Sequence, residues 1–284
     1  MNLTSYEKII KSENSAKNYL LKFCWKNHQR VCPRCRCRKV YSLSTGRRRC
    51  SRCGYTFHDF SLRFLNNGNL TCGQWLRLLK LFELDIHTGR MAEQMSLSYN
   101  TVYRALYTLR LAILSHSLDA DRILYSIDGL GIGTNGKIKA APATASGGNI
   151  PVFGLVERHG QVFADLIPEL SVESVLHFKL NFHLKTASLG KIVYTAPYKH
   201  YDALLLGGLP QYPGIVHQDK GLAIDATKGF WSFAKGRLRL FKGVSPRNFP
   251  LYIKELEFRY NHRNEDPFPH LCRFLCSFVP NIGQ

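Results

Sequence analysis

The sequence predicts an α/β protein in which two small modules precede a larger core, and three observations lead to this prediction. Two Cys-x-x-Cys pairs lie between residues 32 and 53, apolar residues recur at helical spacing from 71 to 117, and short runs of branched residues follow residue 121. Single domains usually hold about 50 to 250 residues, so a chain of 284 residues has room for such an arrangement. We therefore expect domains at residues 1–65, 66–120 and 121–284.

The first module is a predicted zinc ribbon. CPRC (32–35) and CSRC (50–53) are separated by 14 residues, a spacing that lets two tight turns aim four thiolates at one ion. A closed four-Cys site is structural, because it stabilises a fragment too small to fold alone. The expected ligands of one Zn²⁺ are Cys32, Cys35, Cys50 and Cys53. Cys37 breaks the symmetry of the two pairs and is not expected to bind the metal. The remaining cysteines are expected to be buried small apolar residues: Cys24, Cys72, Cys272 and Cys276.

The charge of the chain indicates a polyanionic partner. The net charge is +19 and the pI about 9.7, far from the values of an ordinary cytosolic enzyme. Residues 1–120 hold 20 Lys/Arg against 7 Asp/Glu, so the polyanion is expected to meet this part first. No long apolar run or signal-peptide core is present, which argues against a membrane partner. Nine cysteines without an export signal favour a reducing compartment, and we expect a cytoplasmic protein.

Cations crowd the predicted ribbon. Eight Lys/Arg surround the two Cys pairs and would repel one another without a partner, so contact with DNA phosphates is favoured over a merely solvated surface. The predicted DNA-binding residues of this module are Arg34, Arg36, Arg47, Arg48 and Arg49.

The second module has a helix-turn-helix outline. Trp75, Leu78, Leu79 and Phe82 form one apolar stripe, a short helix is predicted over 91–95, and a longer one starts near Ser98. The exposed start of that third helix would present Asn100, Thr101 and Arg104 to DNA bases and phosphates. A helical linker bundle is the alternative interpretation.

The C-terminal part is predicted to be the α/β core. Short branched runs predict strands at 123–127, 152–156, 162–167 and 191–195, and helices are predicted at 172–184, 201–206 and 227–241. Three strands followed by alternating helices and strands suggest a ribonuclease-H-like core, a mixed sheet with flanking helices.

Four stretches of this core resemble a known family. PVFGLVER (151–158), KIVYTAPYKHYDALL (191–205), GFWSFAKGRLRLFKGV (229–244) and LYIKELEFRYNHR (251–263) occur in order behind the Cys pairs. Together they resemble bacterial insertion-sequence transposases with an N-terminal zinc ribbon and an ISXO-type DDE core, related to the eukaryotic Merlin elements. The resemblance covers nearly the whole chain. It implies double-stranded DNA at the element's terminal repeats as partner, association with the bacterial nucleoid, and a homo-oligomer on DNA as a candidate assembly.

The resemblance also implies two-metal phosphoryl transfer, in which carboxylates hold two Mg²⁺ ions. Asp128 stands at the position of the first carboxylate. Ala196 and Lys228 stand where relatives have the second and third acidic residues. Asp225 is the candidate for a displaced ligand, and Lys235 matches the family's lysine for DNA backbone contact. Catalytic Mg²⁺ is therefore expected only if the protein is active.

Three functions stay open on the sequence. The first is a DNA-cleaving and strand-transferring transposase, impaired or inactive as written because two acidic positions are replaced. The second is a non-catalytic, transposase-derived DNA-binding protein. A zinc-ribbon transcription or RNA-processing factor would share the N-terminus but does not explain the C-terminal stretches.

Overall fold

The fold is divided into two compact units. The computed structural model describes residues 1–25, 27, 29–117, 152–158, 161–167, 192–194, 203–206, 215–218, 221–224, 230, 233–234, 237 and 248–280. The first unit contains residues 1–141 and 265–284, and the second contains residues 142–264. In the described ranges, none of the helices has the length and apolar character needed to cross a membrane.

The first unit begins with two helices that the sequence analysis did not predict. Helix α1 (Leu3–Ile10) starts behind Asn2, whose side chain accepts a hydrogen bond from the amide of Ser5. Helix α2 (Glu13–Cys24) starts behind Ser12 in the same way, with its hydroxyl accepting from the amide of Ser15. Asn and Ser favour this position because their side-chain oxygens satisfy an amide that has no partner within the helix.

A three-stranded antiparallel sheet follows. Its strands are β1 (Val40–Ser42), β2 (Arg48–Cys50) and β3 (Thr56–Phe57), in the order β1-β2-β3. Successive side chains of a strand point to opposite faces, so Cys50 and Arg49 lie on different sides of the sheet. The inner side carries the buried Cys50 and Phe57. Strand β3 thus follows closely behind the second Cys pair.

Three helices form the next part of the unit. They are α3 (Cys72–Glu83), α4 (Thr88–Met95) and α5 (Tyr99–Leu114), and each contacts the next. Helix α3 starts with a capping box between Thr71 and Gln74. Helix α4 ends at Ser96, which adopts a left-handed conformation with φ 51°, and α5 starts behind Ser98. The short helix, turn and longer helix expected from the sequence are confirmed.

The C-terminal segment returns to this unit. Helix α7 (Pro267–Leu275) packs against α2, α3 and α5. Beyond it, the amide of Phe64 donates to the carbonyl of Ser277 at 3.2 Å, and the amide of Val279 donates to Leu62 at 2.9 Å. Residues 265–280 therefore belong structurally with residues 1–117, although they are far away in sequence. The predicted division at 1–65, 66–120 and 121–284 does not anticipate this return and stays a prediction.

Arg63 connects three segments of the first unit. Its side chain is 2% exposed and donates hydrogen bonds to the backbone carbonyls of Cys276, Cys24 and Asp59. Its guanidinium also lies over the rings of Trp25 and Phe278, 4.5 and 4.1 Å from their centroids. Burial lowers the pKa of Arg63, but an arginine with these acceptors stays charged. The residue therefore joins the end of α2, the exit of the ribbon and the C-terminal segment.

The second unit contains a four-stranded mixed sheet in the order β5-β4-β7-β6. Strands β4 (Val152–Arg158) and β5 (Gln161–Ile167) form an antiparallel hairpin. Strand β7 (Ala203–Leu206) runs parallel to β4 and antiparallel to β6 (Ile192–Tyr194). A separate hairpin is formed by β8 (Ile215–Gln218) and β9 (Gly221–Ile224). The mixed α/β class is thus confirmed.

Helix α6 (Phe249–Asn261) covers the edge strand β5. The Asn261 side chain accepts from the amide of Val162 at 2.6 Å and donates to its carbonyl at 2.7 Å. Glu257 accepts from the amide of Ala164 at 2.8 Å, and Lys254 donates to the carbonyl of Ala164. Polar side chains of a helix therefore take the place of a neighbouring strand, which closes an edge that would otherwise be open.

One predicted element of this unit is wrong. Residues 201–206 were expected to be helical, but residues 203–206 form the strand β7. Their sequence, ALLL, is an apolar run too short to show periodicity, so pairing with β4 and β6 decides its conformation. The predicted helix at 227–241 is helical at its described positions 230, 233, 234 and 237. The predicted elements at 123–127 and 172–184 lie outside the described residues.

Candidate metal centre and nucleic-acid interface

Four cysteine thiols converge at the base of the ribbon. The sulfur atoms of Cys32, Cys35, Cys50 and Cys53 all lie within 4.8 Å of one another. Sγ of Cys32 is 3.6 Å from Sγ of Cys53, and Sγ of Cys35 is 3.5 Å from Sγ of Cys50. These separations are near the edge of a tetrahedron with zinc–sulfur bonds of about 2.3 Å. The predicted ligand set is therefore brought together.

Two turns of the same construction position these thiols. In each, the first cysteine amide donates to the carbonyl five residues later, from Cys32 to Cys37 at 2.8 Å and from Cys50 to Tyr55 at 3.0 Å. The residue after the second cysteine is left-handed in both turns, Arg36 with φ 58° and Gly54 with φ 68°. Glycine adopts that conformation without cost, whereas Arg36 does so against its preference.

The chemistry of the thiols fits a soft divalent cation. Backbone amides, led by that of Cys53, lower the pKa of Cys50 to about 6. Burial raises the pKa of Cys32 to about 12, so this thiol requires a positive partner to ionise near neutral pH. A bound Zn²⁺ supplies that charge. Four protein ligands leave no open position for substrate, so the site supports a structural role.

The other cysteines lie outside the cluster. The Cys37 thiol contacts Ser51 Oγ at 3.8 Å and the carbonyl of Lys39 at 3.9 Å, as expected for a residue that is not a ligand. Cys24, Cys272 and Cys276 are buried, as the sequence analysis expected, whereas Cys72 is only half-buried.

The structure separates the five predicted DNA-binding arginines into two groups. Arg48 donates to Asp59 at 3.2 Å and to Ser42 at 3.0 Å, and Arg36 lies over the Phe278 ring at 4.4 Å. These two guanidinium groups have internal partners. Arg34, Arg47 and Arg49 are exposed, and Arg36 is exposed as well although its guanidinium lies over the Phe278 ring.

The sequence analysis did not identify Asp59, whose carboxylate is an internal partner of the ribbon arginines. Its carboxylate accepts from Arg30 at 3.0 Å as well as from Arg48. It is the first acidic residue after Glu13, so residues 14–58 carry no negative charge of their own. That interval is a sequence signal that could have identified Asp59 as the internal counter-ion of the ribbon.

The start of α5 presents its predicted residues to solvent. Asn100 and Arg104 are exposed and lie four residues apart, on one side of the helix. Thr101 is half-buried, and its hydroxyl lies 2.8 Å from that of the cap residue Ser98, so part of its polar capacity is used inside the helix start. Tyr99 is 53% exposed and stacks on Tyr103 with 6.3 Å between ring centroids.

The predicted catalytic positions lie outside the described residues. This applies to Asp128, Ala196, Asp225, Lys228 and Lys235. Nearby, the buried ring of Phe230 packs edge-on against Tyr260, with 5.3 Å between ring centroids.

Comparisons with known proteins agree with this geometry. A transposase zinc-ribbon domain matches residues 11–56, and an ISXO2-like transposase domain matches residues 128–261. An uncharacterized transposase-like protein of Haemophilus influenzae is 33% identical over 75 residues, which are 25% of this chain. The chain spans 60% of the length of that relative. No solved structure matches the chain. The chain therefore carries a transposase zinc-ribbon domain followed by an ISXO2-like transposase domain.

Proposed function

We propose that this protein is a transposase that binds duplex DNA at the ends of its insertion sequence, in the bacterial cytoplasm, through its first unit. The observation that carries the proposal is the acid-free interval 14–58, which includes the zinc ribbon with its exposed arginines. The exposed start of α5 supports a helix-turn-helix contact, since Asn and Arg side chains can reach base edges in the major groove. A ribonuclease-H-like core in the second unit is proposed from the family match.

Catalysis by two Mg²⁺ ions is not supported by the donor set. Within the matched interval 128–261, the positions that the sequence analysis assigns to the family's acidic residues hold Asp128, Ala196 and Lys228. One carboxylate cannot bridge and hold two ions, and a lysine ammonium repels them. We therefore propose impaired or absent strand transfer and derive no catalytic step. A non-catalytic DNA-binding protein derived from a transposase is the second candidate, favoured by these two substitutions.

The proposal is tested with the full chain and two duplexes, one carrying the terminal repeats of the proposed insertion sequence and one with the same composition in scrambled order. Arg104→Ala and Asn100→Ala should weaken preference for the repeat, because a bidentate base contact is worth about 1–3 kcal/mol of discrimination. Equal binding of both duplexes by the unaltered protein would contradict end recognition.

Cleavage is assayed on the same repeat in Mg²⁺ and in Mn²⁺. No nicking is expected of the unaltered chain, and partial activity is expected on combining Ala196→Asp with Lys228→Glu. Nicking that Asp128→Ala abolishes would show a working site and refute the impaired one.

A further inference from the structure

Two buried thiols meet beside Arg63 in the first unit. Cys24 is the last residue of α2, and Cys276 follows directly behind α7. The two cysteines are 8% and 0% exposed. Their thiols are in hydrogen-bonding contact, and Sγ of Cys276 also donates to the carbonyl of Leu20 at 3.5 Å. Because Leu20 lies about one helical turn before Cys24, the Cys276 thiol packs against the last turn of α2.

One guanidinium fixes the backbones that carry these thiols. Arg63 donates from Nη2 to the carbonyl of Cys24 at 2.6 Å, and from Nη1 to the carbonyl of Cys276. Both donors belong to the same rigid, planar group, so the two carbonyls are held close together. Separating the cysteines would break at least one of these buried bonds. The meeting of the two thiols is therefore a fixed feature of the fold.

The two thiols differ in their acidity. The hydrogen bond with Cys276 is the main cause that lowers the pKa of Cys24, burial opposes it, and the positive charge of Arg63 adds to the lowering. Burial raises the pKa of Cys276 well above its ordinary value. The thiolate is the nucleophile in thiol–disulfide exchange. This difference therefore suits a pair in which Cys24 attacks and Cys276 completes the reaction.

We propose that Cys24 and Cys276 are a redox-active pair, which a low-molecular-weight disulfide oxidises to an intramolecular disulfide between α2 and the C-terminal segment. The pair is separate from the zinc ligands and is not part of the proposed DNA contact.

The reaction is a double thiol–disulfide exchange. The Cys24 thiolate attacks one sulfur of the small disulfide, the S–S bond breaks, and one small thiol leaves after taking up a proton. Cys276 then loses its proton and attacks Sγ of Cys24, which releases the second small thiol. In total, the two cysteines lose two electrons and two protons, and one small disulfide becomes two thiols. Cys276 has no exposed surface, so the first attack falls to Cys24.

The new bond would fasten the C-terminal segment to the start of the chain. Residues 25–275 lie between the two cysteines, so the disulfide would close a long loop. A disulfide across a long loop stabilises strongly, because it restricts the unfolded chain. Oxidation should therefore raise the Tm of the first unit by about 5 °C or more. The redox state of the pair would thereby control how firmly residues 265–280 are held.

The test uses the full, zinc-loaded chain and oxidised glutathione as the probe. Samples are equilibrated at a series of ratios of oxidised to reduced glutathione, free thiols are blocked with N-ethylmaleimide, and tryptic peptides are weighed by mass spectrometry without reduction. Cleavage after lysine and arginine places Cys24 on peptide 23–26, Cys272 on 264–273 and Cys276 on 274–284. The expected product is peptide 23–26 linked to peptide 274–284, and excess reduced glutathione should reverse the link. Bound zinc is measured in the same samples and should be retained.

Three variants test the order of the steps. Cys276→Ala removes the second thiol and should accumulate one glutathione on Cys24. Cys24→Ala should leave Cys276 as a free thiol at the same ratios. Cys272→Ala is the matched control, because Cys272 is equally buried and lies one helical turn before Cys276. This variant should form the link like the unaltered chain. The unaltered chain reports the pairing by itself, so a variant that does not fold leaves the main test in place.

The outcomes are distinct. The link between peptides 23–26 and 274–284 with zinc retained, together with a higher Tm, supports the redox-active pair. If Cys24 stays a free thiol at ratios that already oxidise the zinc ligands, the inference is overturned. It is also overturned if the link forms only after zinc is lost, or if Cys24 pairs with Cys272 instead. Duplex binding enters none of these measurements, so the proposed function is decided separately.

Discussion

Asn261 satisfies both backbone groups of Val162, accepting from its amide and donating to its carbonyl. Val162 is 1% exposed, so water cannot replace either bond. Only an amide side chain offers an acceptor and a donor side by side in the geometry of a neighbouring strand. Asn261 lies in the stretch LYIKELEFRYNHR (251–263), and its role there is structural, because it supplies the hydrogen bonds that a neighbouring strand would give to the edge strand β5.

The first prediction concerns this pair. Asn261→Leu should lower the free energy of unfolding of the second unit by about 2–4 kcal/mol, because two buried polar groups lose their partners. Asn261→Asp keeps the acceptor and should cost less. Chemical denaturation and amide exchange at Val162 measure the effect. Asn264→Leu, at an exposed position just beyond α6, is the control. Equal stability of the Asn261→Leu and Asn264→Leu variants would contradict the pairing.

The second prediction concerns zinc. The unaltered chain should bind one Zn²⁺, and Cys50→Ser should abolish stoichiometric binding and unfold residues 32–57, because metal binding and folding of such sites are coupled. Acid should release the ion as the thiolates are protonated. Metal analysis and amide exchange are the measurements. Cys37→Ser is the matched control and should keep one ion per chain. Retention of a protected ribbon by the metal-free Cys50→Ser variant would refute the structural role.

The third prediction concerns the pH dependence contributed by Glu13. Burial raises the pKa of Glu13, but hydrogen bonds from the amides of Gly73 and Cys72 outweigh this and hold it below its ordinary value. The stabilisation is therefore present above the unfolded pKa of about 4.3 and is lost as pH falls through the lower folded pKa.

Glu13→Gln should remove that acid-dependent part. The effect should stay below about 1 kcal/mol, because the carboxylate is exposed and screened at the start of α3. Denaturation midpoints measured from about pH 3 to 6 compare the two proteins. Glu7→Gln, at an exposed position on α1, is the control. A Glu13→Gln variant that keeps the full pH slope of the unaltered chain would exclude this contribution.

The features that the sequence predicts well are local ones. The spacing of the Cys pairs determines the two turns, and apolar spacing with Ser98 as cap determines the start of α5. The division of Arg48 from Arg49 depends on the pairing register of three short strands, which the charge run does not reveal. The strand at 203–206 likewise depends on partners distant in sequence.

Arg63 shows most clearly what the sequence leaves open. A single arginine between Leu62 and Phe64 looks like a surface cation, yet its partners are 39 and 213 residues away. A buried guanidinium of this kind is recognisable only when the carbonyls that surround it are known. The two N-terminal helices have caps that could have been read, at Asn2 and Ser12, but their packing against α7 could not.

The fourth prediction follows from that residue. Arg63→Met should lower the free energy of unfolding of the first unit by about 3–5 kcal/mol, because the buried backbone carbonyls that accept hydrogen bonds from the guanidinium lose their charged donor. Arg63→Lys keeps the charge but not the planar fork, and should be intermediate. Arg90→Met, at an exposed position on α4, is the control. Thermal unfolding of the unaltered chain and of these three variants measures the order of their stabilities, and Arg63→Met should be the least stable.

The last prediction concerns the C-terminal segment itself. A chain that ends at Asn264 should fail to form a stable first unit, although it retains the zinc ligands and α3 to α5. Helix α7 buries Phe268, Leu271, Cys272 and Leu275, and burial of one large apolar side chain is worth about 1.5–3 kcal/mol. The truncation also removes Cys276 and Phe278, two of the partners of Arg63. The charged guanidinium of Arg63 would then lose two of the groups that contact it.

The consequence for function is that DNA binding should require the complete chain. The truncated protein should lose duplex affinity together with the amide protection of α3 and α5, and addition of a peptide of residues 265–284 should restore part of both. Leu271→Asp in the full chain tests the same packing without shortening the protein. Arg273→Gln, on the same helix at an exposed position, should leave DNA binding intact. If the truncated chain binds duplex DNA as tightly as the full chain, α7 is not needed to support the first unit, and its return to that unit has no role in binding.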